Sequence, residues 1–215
     1  MKEITVEVWG DFACFSPPYA KVERLSYPFP TPSAARGILS AIYSKPKEFY
    51  WQVKRIEVLN PIRYISFKRN ELEKKTTTTY LYALYADDVR TQRQTVALQD
   101  VHYRITADIV LHPGFHGTEE QIYQQAERRI AQGKCYYQPS LGLREFVAYF
   151  APCSGPAEPI PDSMDAGLMV YDIFDLHDCE VRAKAKPKLS LFHAVMEHGV
   201  IEVPPYDSPD VLKGE

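Results

Sequence analysis

The sequence lacks paired cysteines. Its four, Cys14, Cys135, Cys153 and Cys179, form no C-x-x-C pair, which excludes the usual structural zinc site, and no metal or other cofactor is expected. It also lacks a membrane span: its longest apolar runs reach about six residues, against the roughly twenty that a helix needs. The N-terminus, Met1-Lys2-Glu3-Ile4-Thr5, opens on an alternating pattern and not on the apolar run of a signal peptide. A cytoplasmic protein with free thiols and no membrane partner is expected. Net charge is small as well. The 25 Lys+Arg against 28 Asp+Glu leave −3, which alone argues against a nucleic-acid partner. Disorder is excluded by 45% apolar and 25% charged residues, an ordinary globular composition. A chain of 215 residues buries its own core without disulfide or metal staples.

The charge total conceals a gradient. Residues 1–75 carry 13 basic against 8 acidic side chains, a net of +5. Residues 76–150 carry 7 against 8, and residues 151–215 carry 5 against 12, a net of −7. Such asymmetry points to a basic working face and an acidic end with another task.

The hydrophobic pattern gives the order of elements. In residues 4–15, Ile4, Val6 and Val8 alternate with Thr5, Glu7 and Trp9, a strand with one buried face. Gly10 breaks it and suggests a bulge. After a Pro- and Tyr-rich loop, Thr31 caps a helix with Pro32 at its first position. Ala35, Ile38, Leu39 and Ile42 form its apolar face, and Lys45-Pro46 ends it. A second strand follows at 49–60. Residues 61–98 read as a long projecting hairpin. Its basic arms are 63–69 and 90–96, and its polar tip holds the threonine run 76–79 with Tyr80, Tyr82 and Tyr85. A third strand fits 99–111. Thr118-Glu119-Glu120-Gln121 is a capping box that opens a second helix, buried through Ile122, Ala126 and Ile130 and stopped at Gly133. A fourth strand covers 144–151.

The fold class is therefore α+β. The βαββαβ order is that of a ferredoxin-like, RNA-recognition-type domain with a long inserted hairpin. That domain spans 1–151. Residues 152–215 begin with a Pro/Gly/acidic linker and continue with strand-like pieces near 168–175, 189–196 and 199–203, a small acidic C-terminal antiparallel β-sheet.

Several runs carry a resemblance. They are the seven residues from Trp9 to Phe15, the run 21–27, Thr31-Pro32-Ser33-Ala34-Ala35-Arg36-Gly37-Ile38-Leu39 with Ala41-Ile42-Tyr43-Ser44-Lys45-Pro46, and then 98–103, 138–146 and 194–201. Together they resemble the CRISPR-associated subunit of the fifth Cas family in its type I-C form, within the RAMP superfamily. The resemblance implies a ferredoxin-like domain with a small C-terminal β-sheet. It implies an endoribonuclease that cuts precursor CRISPR RNA at the repeat hairpin without metal, using the RNA's own 2′-hydroxyl. It implies that the product's 5′ handle stays bound beside the other subunits of the type I-C surveillance complex. Double-stranded DNA, a further ligand considered for such folds, has no separate signature here.

In that family a tyrosine at the end of the first helix and a Lys-His pair at the start of the second form the catalytic group. Tyr43 matches the tyrosine, and Lys45 lies two residues away to serve it electrostatically. A tyrosine titrates near pH 10, so it needs a cation to act as a base. The Lys-His pair falls on Gln121-Ile122, neither of which moves a proton. His116, with His112 and Lys134 nearby, is the candidate replacement, because imidazole titrates in the right range.

Phosphate-binding charge is expected from Lys21, Arg24, Arg36, Lys45, Arg63, Lys68, Arg69 and Arg93. Tyr19, Tyr27, Tyr64, Phe67 and Tyr82 are candidates to stack on bases. Gly142 and Arg144, in the loop 138–146, are expected backbone and phosphate contacts. The alternative to an enzyme is a non-catalytic subunit that binds and caps the 5′ handle. A third reading, an RNA-recognition module for some other transcript, does not explain the full-length resemblance.

Overall fold

Alternation at Ile4, Val6 and Val8 makes the first strand, β1 (Glu3–Ala13), with those side chains buried and Thr5, Glu7 and Trp9 on the other face. A computed structural model describes residues 2–20, 22–73, 85–156, 158–178 and 187–214. The remaining elements in chain order are β2 (Arg24–Leu25), α1 (Pro32–Ile42), β3 (Phe49–Val58), β4 (Tyr64–Leu72), β5 (Arg90–Leu111), α2 (Glu119–Ala131), β6 (Tyr149–Pro152), β7 (Met164–Asp172), β8 (Ser190–Glu197), β9 (Val200–Glu202) and β10 (Leu212–Lys213). The architecture of the described residues is α+β: one large sheet and two α-helices. Neither helix is long and apolar enough to cross a membrane.

Both helices begin where local chemistry sets them. The Thr31 hydroxyl accepts the Ala34 N–H at 3.1 Å, and Pro32 occupies the first turn, where its missing N–H costs nothing. In α2, the Thr118 hydroxyl accepts from the Gln121 N–H while the Gln121 side chain accepts from the Thr118 N–H. Gly133, at φ +62°, follows the C-cap as expected.

The sheet runs β10-β8-β9-β3-β5-β1-β6, with β2 and β4 pairing β5 and β7 pairing β8. Three corrections follow. The expected third strand at 99–111 and the second hairpin arm are one strand, β5, of 22 residues. Its N-terminal half pairs β4 from Leu72↔Arg90 to Tyr64↔Leu98, and its C-terminal half is gripped between β1 and β3. The threonine run 76–79, Tyr80, Tyr82, Lys21 and Cys179 lie outside the described residues. Gly10 is no bulge, because the β1–β5 ladder keeps one register from Glu3↔Asp108 to Ala13↔Leu98. A Cβ there would instead lie 2.6 Å from the Val147 carbonyl oxygen, so glycine is needed for close backbone approach. Finally, the fourth strand is only β6. Residues 140–147 form a loop closed by the Ser140↔Val147 bridge and the Leu141 N–H to Phe146 carbonyl bond of 2.7 Å.

The C-terminal strands sit where the sequence suggests but join the main sheet, since β9 pairs β3 at Arg55↔Glu202, Ile56↔Ile201 and Glu57↔Val200. The hydrophobic core is continuous across this seam and includes Tyr103, Ile105, Ile56, Ile201, Phe192 and Tyr171. Burial pushes the hydroxyls of Tyr103 and Tyr171 far above the ordinary tyrosine range.

The loop 140–147 depends on Gly142. Its φ is +85°, and a Cβ would stand 1.9 Å from the Cys14 carbonyl oxygen. Gly142→Ala is expected to destabilise the fold by at least the roughly 1–3 kcal/mol of left-handed strain, read as a lower midpoint in urea unfolding with an unchanged slope.

Candidate nucleic-acid interface

The last turn of α1 exposes carbonyls that other segments satisfy, and Tyr43 stands at that junction. The Tyr136 N–H bonds the Ala41 carbonyl at 2.7 Å, the Arg129 guanidinium donates to the Ile42 carbonyl at 3.2 Å, and the Trp51 indole donates to the Tyr43 carbonyl at 2.9 Å. The Tyr43 ring packs on Phe49 and lies under the Arg129 guanidinium, 5.5 Å from its centroid. Tyr43 is only 7% exposed, and its hydroxyl has no hydrogen bond among the described residues. Burial pushes its pKa up, against the opposing pull of Lys45 and Arg129, so the phenol keeps its proton at neutral pH. Lys45 is close, but its ammonium is held by both oxygens of Glu48 at 2.9 Å.

Arg129 is a residue that sequence reading missed. It lies on the polar side of α2, and nothing local ties it to a tyrosine 86 positions earlier. Tyr136 and Tyr137, both exposed and edge to face at 6.2 Å, were missed too. They extend this junction as a wet aromatic surface of the kind that stacks on bases.

The two candidate histidines differ. His116 is exposed in the turn before α2 and contacts neither Tyr43 nor Arg129 among the described residues. His112 is buried beneath the Tyr50 ring at 5.4 Å, and its Nδ1 is enclosed without a hydrogen bond. Burial, helped by His177, holds its pKa below the ordinary value, while the Pro46 carbonyl opposes this. Lys134 is exposed beyond the end of α2.

The basic side chains separate into two groups. Arg63, Lys68 and Arg144 are exposed and make no ion pair among the described residues. Arg24, Arg69 and Arg93 instead converge on two carboxylates. Glu71 pairs with all three, at 3.1 Å from Arg24, 3.0 Å from Arg69 and 3.3 Å from Arg93. Glu145 pairs with Arg69 and, at 3.4 Å, with Arg24. This knot ties the outer part of the β4–β5 ladder, at Arg69↔Arg93 and Glu71↔Thr91, to the loop that carries Gly142 and Arg144.

The geometry gives Arg36 another task. Its Nε and Nη2 donate to the two carboxylate oxygens of Asp172 at 2.6 and 2.9 Å, and that Asp172 side chain is 2% exposed. A bidentate pair at a buried carboxylate locks α1 to β7 and leaves little of the guanidinium for a phosphate. Among the stacking candidates, Tyr19 and Tyr64 are exposed, while Tyr27 and Phe67 are partly buried.

Comparison with known proteins gives the family. The model of a family described as CRISPR-associated protein (Cas_Cas5), in its Cas5d form, matches residues 3–204. A protein of Thermus thermophilus named CRISPR pre-crRNA endoribonuclease Cas5d is 40% identical, with 95% of this chain and 92% of that one covered. One of the same name from Mannheimia succiniciproducens is 39% identical, with 98% of each covered. A crystal structure of a CRISPR-associated protein shares the fold at TM-score 0.69 and 23% identity, covering 98% of this chain and 96% of that one.

Two outcomes are expected. Arg36→Ala leaves a buried carboxylate unpaired and costs about 3–5 kcal/mol in unfolding free energy, while RNA affinity of the folded protein is unchanged. Arg63→Ala does the reverse in filter binding and urea titration, weakening RNA and leaving stability within about 0.5 kcal/mol. For His112 the folded pKa is depressed, so the unfolded chain binds the extra proton. Its contribution is present above the ordinary histidine value of about 6.5 and is lost as pH falls below it. A melting temperature that drops below pH 6.5, and drops less in His112→Gln, is the expected signature.

Proposed function

Since this chain belongs to the Cas5d family of CRISPR-associated proteins, we propose that it is an endoribonuclease that matures precursor CRISPR RNA. It cuts at the repeat hairpin and remains on the 5′ handle in a cytoplasmic type I-C surveillance complex. The observation that carries this reading is the placement of Tyr43, at the end of α1, under the Arg129 guanidinium.

The 2′-oxygen attacks the adjacent phosphorus, the bond to the 5′-oxygen breaks, and a cyclic phosphate is left on the upstream fragment. One group must take the 2′-hydroxyl proton and another must protonate the departing 5′-oxygen. A buried phenol that holds its proton at neutral pH suits the second task, so Tyr43 is the acid or hydrogen-bond donor. His116 is the residue assigned to the first task, moved into place by RNA. Arg129, with Lys45 once Glu48 releases it, supplies charge to the phosphate. Arg63, Lys68 and Arg144 hold the backbone on either side. Lys21 adds to them, and Arg24, Arg69 and Arg93 join when phosphates replace their carboxylates.

The fold reading follows the same line. The order β3-β5-β1-β6, antiparallel at each step, supports a ferredoxin-like reading with the β4–β5 arm as an insertion. Residues 1–151 serve RNA, and residues 152–215 form the acidic appendage that meets neighbouring subunits. A second reading, a subunit that caps the handle without cutting, is favoured by one observation. At the family's Lys-His position, Gln121 is used by the capping box and Ile122 is 3% exposed.

Incubation with the cognate repeat hairpin in excess chelator separates the two. The enzyme reading expects cleavage that falls about 10²- to 10⁴-fold in Tyr43→Phe with little change in melting temperature. Tight handle binding without any cleavage by the unmutated protein leaves only the cap.

A further inference from the structure

Three aromatic rings form a row across the sheet face opposite the buried core. Trp9 of β1 is the direct cross-strand neighbour of Tyr149 on β6 and of His102 on β5. Trp9 and Tyr149 stack at 6.2 Å and 28°, and His102 meets Trp9 edge-on at 6.0 Å. Trp9 is 38% exposed and Tyr149 52%. The row borders an open cleft of about 500 Å³, within the range of a small-ligand site. Core packing does not account for it, since Val6 and Val8 on the other face do that work.

The polar lining narrows the ligand. Asp11 of β1 and Asp100 of β5 both line the cleft, each flanked by the ladder pairs Gly10↔Val101 and Phe12↔Gln99. Neither carboxylate has a partner among the described residues. Asp100 is also held at φ 53° while Asn60 donates to its carbonyl at 2.9 Å. Glu7, by contrast, is already matched by Arg104 at 2.8 Å. Two free acceptors beside an aromatic row fit a planar ring that brings its own N–H donors. Phosphates would be repelled from the cleft but can sit at its rim, where Arg63 is unpaired and its carbonyl accepts the Gln99 N–H.

We propose that the Trp9, Tyr149 and His102 row is a stacking site for unpaired RNA bases bearing an exocyclic amino group. Cytosine and adenine stack on the rings, their amino groups donate to Asp11 or Asp100, and uracil is disfavoured because it presents a carbonyl there. The site rests on the RNA-binding reading above, but it lies apart from Tyr43 and takes no part in the cut.

The chain's two tryptophans make the test direct, because Trp51 is 2% exposed and serves as an internal reference. Titration of the full chain with short single-stranded oligo-C, oligo-A and oligo-U, followed by tryptophan emission, is expected to show quenching by the first two at lower concentration. Quenching disappears in Trp9→Phe, and Trp9→Ala weakens oligo-C binding about 5- to 150-fold. The Asp11→Asn, Asp100→Asn double variant loses the preference over oligo-U while Trp9 is still quenched. Absence of quenching in a protein that binds the repeat hairpin overturns the site and spares the nuclease reading. Quenching by an oligo-arginine peptide but by no oligonucleotide also overturns it, assigning the cleft to a basic protein segment.

Discussion

One strand of twenty-two residues, Arg90–Leu111, extended except at the left-handed Asp100, holds the rest of the molecule in place. This strand pairs β1 and β3 over one half and β4 over the other, with the two-residue β2 alongside. A strand of that length is far beyond the usual five or six residues and survives only where its edges are paired. The consequence is mechanical. The basic arm is no separate flap, because a movement at Arg93 is transmitted along the same backbone to Tyr103 and Ile105 in the core.

How much of this was legible follows from sequence distance. Thr31-Pro32 and the Thr118–Gln121 capping box were readable because each acts within one helical turn. The alternation of β1 was readable because period-2 burial is local. The fusion of the hairpin arm with the next strand was not, because the polar arm 90–96 and the alternating run 99–111 read as two separate strands until one ladder is seen to run through both. Gly10 shows the same limit: sequence marks an exception but cannot distinguish a bulge from a close approach.

The candidate site divides along the same line. Tyr43 was found through motif resemblance, and its position at the helix end was readable from Lys45-Pro46. Its electrostatics were not. Lys45 does pull the phenol downward, but Glu48, three residues on, holds its ammonium and burial outweighs it. Arg129 was unmarked, yet it covers the ring. Arg36 looked like a phosphate contact because Asp172, the group that claims it, is 136 residues away. A buried bidentate pair there ties α1 to β7, and so couples the helix carrying Tyr43 to the C-terminal strands.

The charge gradient takes on a different meaning once these pairs are known. Much of the positive excess in residues 1–75 is consumed internally. Arg36 and Arg55 pair with Asp172 and Glu202 of the acidic end, and Arg24 and Arg69 pair with Glu71 and Glu145. Two carboxylates of the acidic end thus neutralise arginines of the basic end across the fold. Among the described residues an RNA backbone would meet few unpaired cations, and counterion release from so few gives a shallow salt dependence. A steep dependence requires the Arg24, Arg69 and Arg93 knot to trade Glu71 and Glu145 for phosphates. Because Glu145 sits in the Gly142 loop and Glu71 near the outer end of the β4–β5 ladder, that exchange would release the loop from the arm. RNA affinity and the opening of this junction are thus one equilibrium, set by whether phosphate or carboxylate holds the same three guanidinium groups.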